Sequence, residues 1–255
     1  MTLEMAYFII NAFVFVFGLC IGSFLNVVIY RVPLGISIAK GRSFCPQCKA
    51  PIAAYDNVPL FSWLFLRGKC RRCGAPIPVR YPAVELLGGL AALAAVWRFG
   101  YTPMAAVAFC TEAILIAVVF IDFDHMIIPN GLVIALIVPA VAAAFLQSPP
   151  DLISRVIGVF VIAVPLLVLA VALGAFGMGD IKLMAVAGFL LGWQGTLLAA
   201  FIGVVLGGIV GIVKMIKKTG EKEMAFGPYL AIGIAVSQLW GASIIAWYLG
   251  IFGLA

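Results

Sequence analysis

Asp122 and Asp180 are the residues of this chain whose type and setting best suit chemistry. Asp122 lies in Phe120-Ile121-Asp122-Phe123-Asp124-His125 and Asp180 closes Gly177-Met178-Gly179-Asp180, each at the edge of a long apolar run. Ionisable groups inside or beside membrane-spanning runs are costly, so each is a functional hypothesis by default. Glu85, Glu112, Asp122, Asp124 and Asp180 all qualify. Two carboxylates on different helices can share general acid-base work. One activates a water while the other, protonated, polarises a scissile carbonyl, and the pair titrates as a coupled dyad. Such a cut needs no metal, no nucleophilic side chain and no cofactor. The neighbouring glycines permit unusual backbone angles and close approach of a substrate chain. Taken singly, each aspartate also reads as a helix cap.

A second constellation is Cys45-Pro46-Gln47-Cys48 followed, after 21 residues, by Cys70-Arg71-Arg72-Cys73-Gly74. Each CxxC turn aims two thiolates at one point, and four thiolates make the closed tetrahedral set of structural zinc. Arg71 and Arg72 offset the excess negative charge of such a centre. A closed set leaves no open position for catalysis, so the expected role is to hold a small domain together. Two disulfides or four independent thiols are the alternatives, and a reducing cytoplasm disfavours the disulfides. Cys20 and Cys110 lie in apolar runs and read as packing residues.

The elements that carry these residues are set by composition. Of 255 residues, 65% are hydrophobic and 10% charged, against about 25% charged in soluble domains. The bilayer is therefore the solvent for most of the chain. Eight apolar runs read as spans, at roughly 5–30, 83–98, 103–121, 126–146, 152–175, 181–192, 195–213 and 228–252. The sixth and seventh are parted only by Gly192-Trp193-Gln194-Gly195, and seven spans is the fallback. The first run is too long for the apolar core of a signal peptide and lacks basic residues before it, so it reads as a transmembrane helix. The expected fold is all-α, a polytopic membrane protein of about eight transmembrane helices with a small cytoplasmic zinc-binding domain.

Orientation follows from the basic residues. The net charge is +6, and segment 31–82 holds nine of the sixteen Lys and Arg residues. Lys214, Lys217, Lys218 and Lys222 follow the seventh run, while only Arg98 and Arg155 fall at the opposite ends. The positive-inside rule then puts 31–82 and 214–227 in the cytoplasm with both termini outside. Parity brings Asp122, Asp180 and Lys182 to the same side. The charge sits in loops without interleaved aromatics, so no nucleic-acid partner is expected; the lipid bilayer is. Segment 31–82 has seven prolines and four of the six cysteines, and is too short for a self-sufficient core.

With these residues in view, the chain resembles the type IV prepilin peptidases, a group of GxGD membrane aspartyl proteases. The likeness runs over nearly the whole length. It takes in Gly22-Ser23-Phe24-Leu25-Asn26-Val27-Val28, Arg31-Val32-Pro33, the paired CxxC, Asn57-Val58-Pro59-Leu60 and Arg80-Tyr81-Pro82-Ala83-Val84-Glu85-Leu86. It continues through Ile121-Asp122-Phe123-Asp124-His125, Ile128-Pro129-Asn130, Gly177-Met178-Gly179-Asp180-Ile181-Lys182 and Phe226-Gly227-Pro228-Tyr229-Leu230. The resemblance implies a bifunctional inner-membrane enzyme. It would cut the leader from prepilins or pseudopilins on the cytoplasmic side, then methylate the new N-terminal amine with S-adenosylmethionine. On this pattern Asp122 and Asp180 are catalytic, with Asp124 the second choice at the first position, and Cys45, Cys48, Cys70 and Cys73 hold zinc. The implied organisation is a first transmembrane helix over 1–30, a cytoplasmic zinc-binding domain over 31–82 and a transmembrane aspartyl protease domain over 83–255.

The stretch between Arg31 and Cys45 is short beside some members, and Asn130 stands where the family often has Asp; neither touches the dyad. No Gly-rich βαβ unit marks a soluble-type cofactor site. Glu85 is the candidate for holding a cationic amine or sulfonium, or is a structural carboxylate paired with a neighbouring helix. His125, the only histidine, cannot make a metal site alone. Lys182 either tunes the dyad or snorkels. Two alternatives stand beside this reading. One is a GxGD intramembrane protease without methyl transfer, which needs no CxxC domain. The other is a small proton-coupled transporter, which would set its acids near the midplane rather than at one face.

Overall fold

In hydrocarbon the backbone can bond only to itself, so apolar runs fold as helices. The computed structural model describes residues 2–146, 150–174, 176–217 and 224–253. Lys218 and Lys222 of the basic loop lie outside the described residues. The helices are α1 (Leu3–Arg31), α2 (Phe61–Phe65), α3 (Arg80–Phe99), α4 (Pro103–His125), α5 (Asn130–Leu146), α6 (Leu152–Val161), α7 (Ala163–Leu173), α8 (Met178–Ile216) and α9 (Gly227–Ile251). Among the described residues, six helical stretches are long and apolar enough to cross a membrane, counting α6 and α7 as one stretch over Leu152–Leu173. The shorter α5 is apolar too, at 17 residues. The chain divides into two compact units, Met1–Trp97 and Arg98–Ala255.

In the first unit α1 and α3 meet backbone to backbone. A Cβ on Gly18 would come within 2.5 Å of the Gly88 carbonyl oxygen, and one on Gly22 within 2.7 Å of the Glu85 Cα. Small residues at this spacing allow the close crossing that packs helices in lipid. Between these helices the chain has little regular structure: a 3₁₀ turn at Ala54–Asn57, the short α2, and two isolated bridges, Phe44 with Pro51 and Lys69 with Pro76. Arg31, counted above among the loop charges, is buried. It donates to the carbonyls of Ser37, Lys40, Gly41 and Arg42 and so ties down the loop after α1.

In the second unit α8 runs for 39 residues, about 58 Å of helix and nearly twice a bilayer core. The sequence suggested a boundary at Gly192–Gly195. The structure has a single departure there, Gly192, at φ 71°, ψ 171°. Before it, Gly188 abuts the Gly158 backbone of α6. After it, Gly195 lies against Ser237, Gly233 abuts Ala199, and Gly207 lies against Phe226, so the second half runs antiparallel to α9. Gly179 touches Ile128, Ile128 touches Gly227, and Phe226 touches Gly207. Residues 179 and 207 therefore share one end, and the chain doubles back at Gly192. The core between these helices is formed by Leu115, Val118, Leu136, Leu183, Met184 and Ile234 among others.

Arg155 is also buried, although its charge suggested a helix end. Its guanidinium donates to the carbonyls of Pro150, Ala143, Phe189 and Leu190, joining α5, α6 and the first half of α8. A buried cation is tolerated when such acceptors surround it.

Candidate active site and metal centre

Asp122 occupies the last turn of α4, which ends on Met126 in the left-handed region at φ 52°, its amide bonded to the Asp122 carbonyl. That cap turns the chain sharply into Ile127-Ile128-Pro129, and Pro129 precedes the start of α5. Asp180 sits in the first turn of α8, where its Oδ2 accepts the Gly177 N–H at 3.3 Å. It does not cap the helix itself; it bonds back to the cap residue's amide, as the third residue of a capping box does. Both side chains are buried, Asp122 at 5% and Asp180 at 8% exposure.

Three contacts bring the two segments together. A Cβ on Gly179 would lie 2.9 Å from Ile128 Cβ, and one on Gly227 would lie 2.9 Å from Ile128 Cδ1 and 2.6 Å from Asp122 Oδ2. Ile128 thus packs against the backbone beside Asp180 and against Gly227, which faces Asp122. The Gly227 amide, in the first turn of α9, donates to Asp122. Each carboxylate consequently accepts an N–H from the start of a helix, where the free amides favour negative charge. The two are also near enough to feel each other's charge. Lys182 Nζ donates to Asn130 Oδ1 at 3.0 Å, tying the start of α5 to the start of α8. Phe176, Phe226, Tyr229 and Phe123 form a chain of edge-on and tilted rings over the same end. Glu112 does not join this site. It is buried ten residues earlier in α4, about 15 Å along the helix, and its Oε1 has no hydrogen-bond partner among the described residues.

The part missing from the sequence reading was the role of Gly227 and Ile128. Both stood in recognisable strings, but only the fold shows that a side chain at 227 would collide with the Asp122 carboxylate.

In the first unit the Sγ atoms of Cys45, Cys48, Cys70 and Cys73 all lie within 4.8 Å of one another, and Cys45 and Cys73 are 3.9 Å apart. Zinc–sulfur bonds of about 2.3 Å in a tetrahedron separate sulfurs by about 3.8 Å, so the cluster fits a zinc ion. Each pair sits on a turn closed by backbone bonds, Lys49 N–H to Cys45 O and Gly74 N–H to Cys70 O. The Cys70 thiol accepts the amides of Cys73 and Arg72, which draw it down to about 6. Cys73 accepts the Ala75 amide, yet desolvation and the three neighbouring thiols push it up to about 11. Four sulfurs this close resist ionising together until a cation binds. Arg71, expected to balance the metal's charge, is engaged by Asp56 at 2.6 Å and lies over the Tyr55 ring.

Glu85 stands in neither place. Its Oε2 accepts the Leu60 N–H at 2.7 Å, and it lines a cleft of about 120 Å³ in the first unit.

Comparison with known proteins adds independent findings. Residues 16–99 match the family model of the bacterial peptidase A24 N-terminal domain, and residues 109–212 match that of the type IV leader peptidase family. A prepilin leader peptidase/N-methyltransferase of Legionella pneumophila is 34% identical over 92% of each chain. One of Aeromonas hydrophila is 37% identical, again over 92% of each. One of Bacillus subtilis (strain 168) is 37% identical over 92% of this chain and 96% of the relative. No solved structure matches the chain.

Proposed function

The chain belongs to the type IV leader peptidase family, and we propose on that premise how its two units divide the work. The protein is a membrane-bound prepilin leader peptidase and N-methyltransferase: it cleaves the leader peptide of prepilins and methylates the residue so exposed. The alternatives, a protease without methyl transfer and a proton-coupled transporter, are not favoured.

Cleavage is assigned to Asp122 and Asp180. The observation that carries this is their common burial at one end of the second unit, linked through Ile128 and Gly227. With one carboxylate ionised and one protonated, the first takes a proton from water as its oxygen attacks the scissile carbonyl carbon. The second donates a hydrogen bond to the carbonyl oxygen. Proton return to the leaving amine then breaks the C–N bond. Repulsion between two like charges so close favours this singly protonated pair. Gly179 and Gly227 let Ile128 and the Asp122 carboxylate pack directly against backbone, which fixes where the carboxylates stand.

The division along the sequence is a first helix over 1–30, a zinc-binding domain over 31–82 and a protease domain over 83–255, although α3, inside the last range, packs on α1 in the first unit. Eight crossings are obtained if the two halves of α8 count separately, as the reversal at Gly192 supports. The concentration of Lys and Arg in 31–82 then turns the thiol cluster and both aspartates toward the cytoplasm of a bacterial inner membrane. Cys45, Cys48, Cys70 and Cys73 would hold zinc, whose contribution is to fix the loops and not to react. S-adenosylmethionine is the proposed methyl donor, with Glu85 the candidate carboxylate for it, and prepilins or pseudopilins are the substrates.

The test is cleavage of a prepilin by the purified protein, with Asp122→Asn and Asp180→Asn assayed separately. A single variant that cuts at the parent rate removes that residue from the dyad.

A further inference from the structure

The methyl-transfer activity requires a binding site for its donor, and the second unit's aspartates do not supply one. The first unit has a cleft of about 120 Å³ between the end of α1, the first cysteine turn and the start of α3. Ser23, Asn26 and Tyr30 come from α1, Phe44 from the cysteine turn, Asn57 from the 3₁₀ turn and Glu85 from α3. The close crossing at Gly22 presses α3 onto α1 at Glu85, which brings Asn26 and Glu85 from the two helices into the lining of one cleft.

Glu85 is held by an unusual piece of backbone. Leu60 has φ 61°, ψ −52°, and the Phe61 amide bonds to the Pro59 carbonyl at 2.7 Å. This is a γ-turn of the rare positive-φ kind, and strain of this sort is retained where surrounding structure imposes it. The turn's central amide donates to Glu85 Oε2. That bond takes up one oxygen of a carboxylate that lines the cleft. Asn26, 91% buried, spends its Nδ2 on the Tyr81 carbonyl at 3.1 Å and keeps its oxygen as an acceptor. Arg31, the one cation of the lining among the described residues, is committed to its four carbonyls. The uncommitted charge of the cleft is therefore negative. At the rim, Tyr30 and Phe44 stand edge to face, 6.5 Å apart and partly exposed.

We propose that this cleft is the binding site for the methyl donor, a sulfonium compound carrying an ammonium group and a purine. Glu85 and Asn26 would hold its cationic part, and Tyr30 and Phe44 would stack its ring. A negative, acceptor-rich pocket beside two aromatic rings matches a ligand that is cationic at one end and planar at the other. The proposal rests on the methyltransferase reading above. It goes further by locating the site and by separating it in sequence from the cleavage residues.

The experiment is direct titration of the full-length protein in detergent with S-adenosylmethionine and with S-adenosylhomocysteine, with and without prepilin, read by calorimetry. Glu85→Gln keeps an oxygen for the Leu60 amide but removes the charge. It is expected to weaken S-adenosylmethionine by about 10–100-fold and S-adenosylhomocysteine, which lacks the sulfonium charge, by less. Tyr30→Ala, at the exposed rim, should weaken both by about 10-fold. Zinc content and thermal midpoint should hold, and prepilin cleavage should continue at the parent rate. If the parent binds the donor and both variants bind it equally well, the site is elsewhere and the methyltransferase reading stands. If the parent binds no donor even with prepilin present, the reading and the site fall together. Should Glu85→Gln fail to fold, Tyr30→Ala decides alone.

Discussion

The two units build their polar centres by opposite means. In the first, four thiols from two loops converge with almost no core around them; Cys45 is buried while Cys48 and Cys73 are exposed. In the second, two carboxylates are buried at helix ends and placed by glycine contacts good to a single methyl group. Loops without a core need an ion to hold them, whereas helices locked by close packing do not. The first centre should thus be fragile toward chelation and tolerant of neighbouring side-chain changes, and the second the reverse.

The sharpest break between them is metal removal. Zinc bound by such thiolate sets is worth about 10–16 kcal/mol, so a strong chelator, or Cys45→Ser with Cys48→Ser, should open segment 31–79 to protease. The helices of residues 98–253 should stay protected, as gel fragments would show. Equal digestion of both units would erase the distinction. Next come Asp122→Asn and Asp180→Asn, each expected to lower cleavage by about 10²–10⁴-fold with zinc content unchanged by metal analysis. Gly227→Ala places a methyl 2.6 Å from Asp122 Oδ2 and must displace the carboxylate. Cleavage should fall by about 10–100-fold with little loss of thermal stability; a variant of full activity would show that the contact does not position Asp122. Gly188→Ala intrudes on the Gly158 backbone and should do the converse, costing about 1–3 kcal/mol by denaturation while the remaining folded protein cleaves. The smallest effect belongs to Arg71→Ala. Asp56 is held below its usual range by its hydrogen bond to Arg71, but the Arg71 side chain is more than half exposed. Zinc affinity should change by only about 2-fold and less in high salt.

Much of this was readable before any fold was known. The CxxC spacing alone indicated a four-thiol cluster, since two residues between cysteines fix the turn. The aspartates stood out because acids beside apolar runs are rare. What the residues withheld was anything set by contact across the chain. Gly227 is forty-seven positions from Asp180 and a hundred and five from Asp122, so its collision with a carboxylate has no local signal. Arg31 and Arg155 entered the charge pattern as surface markers, yet both are buried among carbonyls, because a guanidinium's five donors can satisfy helix ends that the loop leaves open. The turn at Gly192 was visible as a short polar break. That it reverses the chain through one residue required the neighbours Pro150 and Ser154.

Arg155 also bears on how the protein is made. Its acceptors Phe189 and Leu190 lie 34 and 35 residues downstream, so when α6 leaves the ribosome half of that cage does not yet exist. An arginine in a nascent span disfavours release into lipid by up to about 2.5–3.5 kcal/mol. Lateral exit of α6 is then expected to wait for the first half of α8, and these helices enter the bilayer as a partnership. The same bonds that fix the finished fold set the order of its birth.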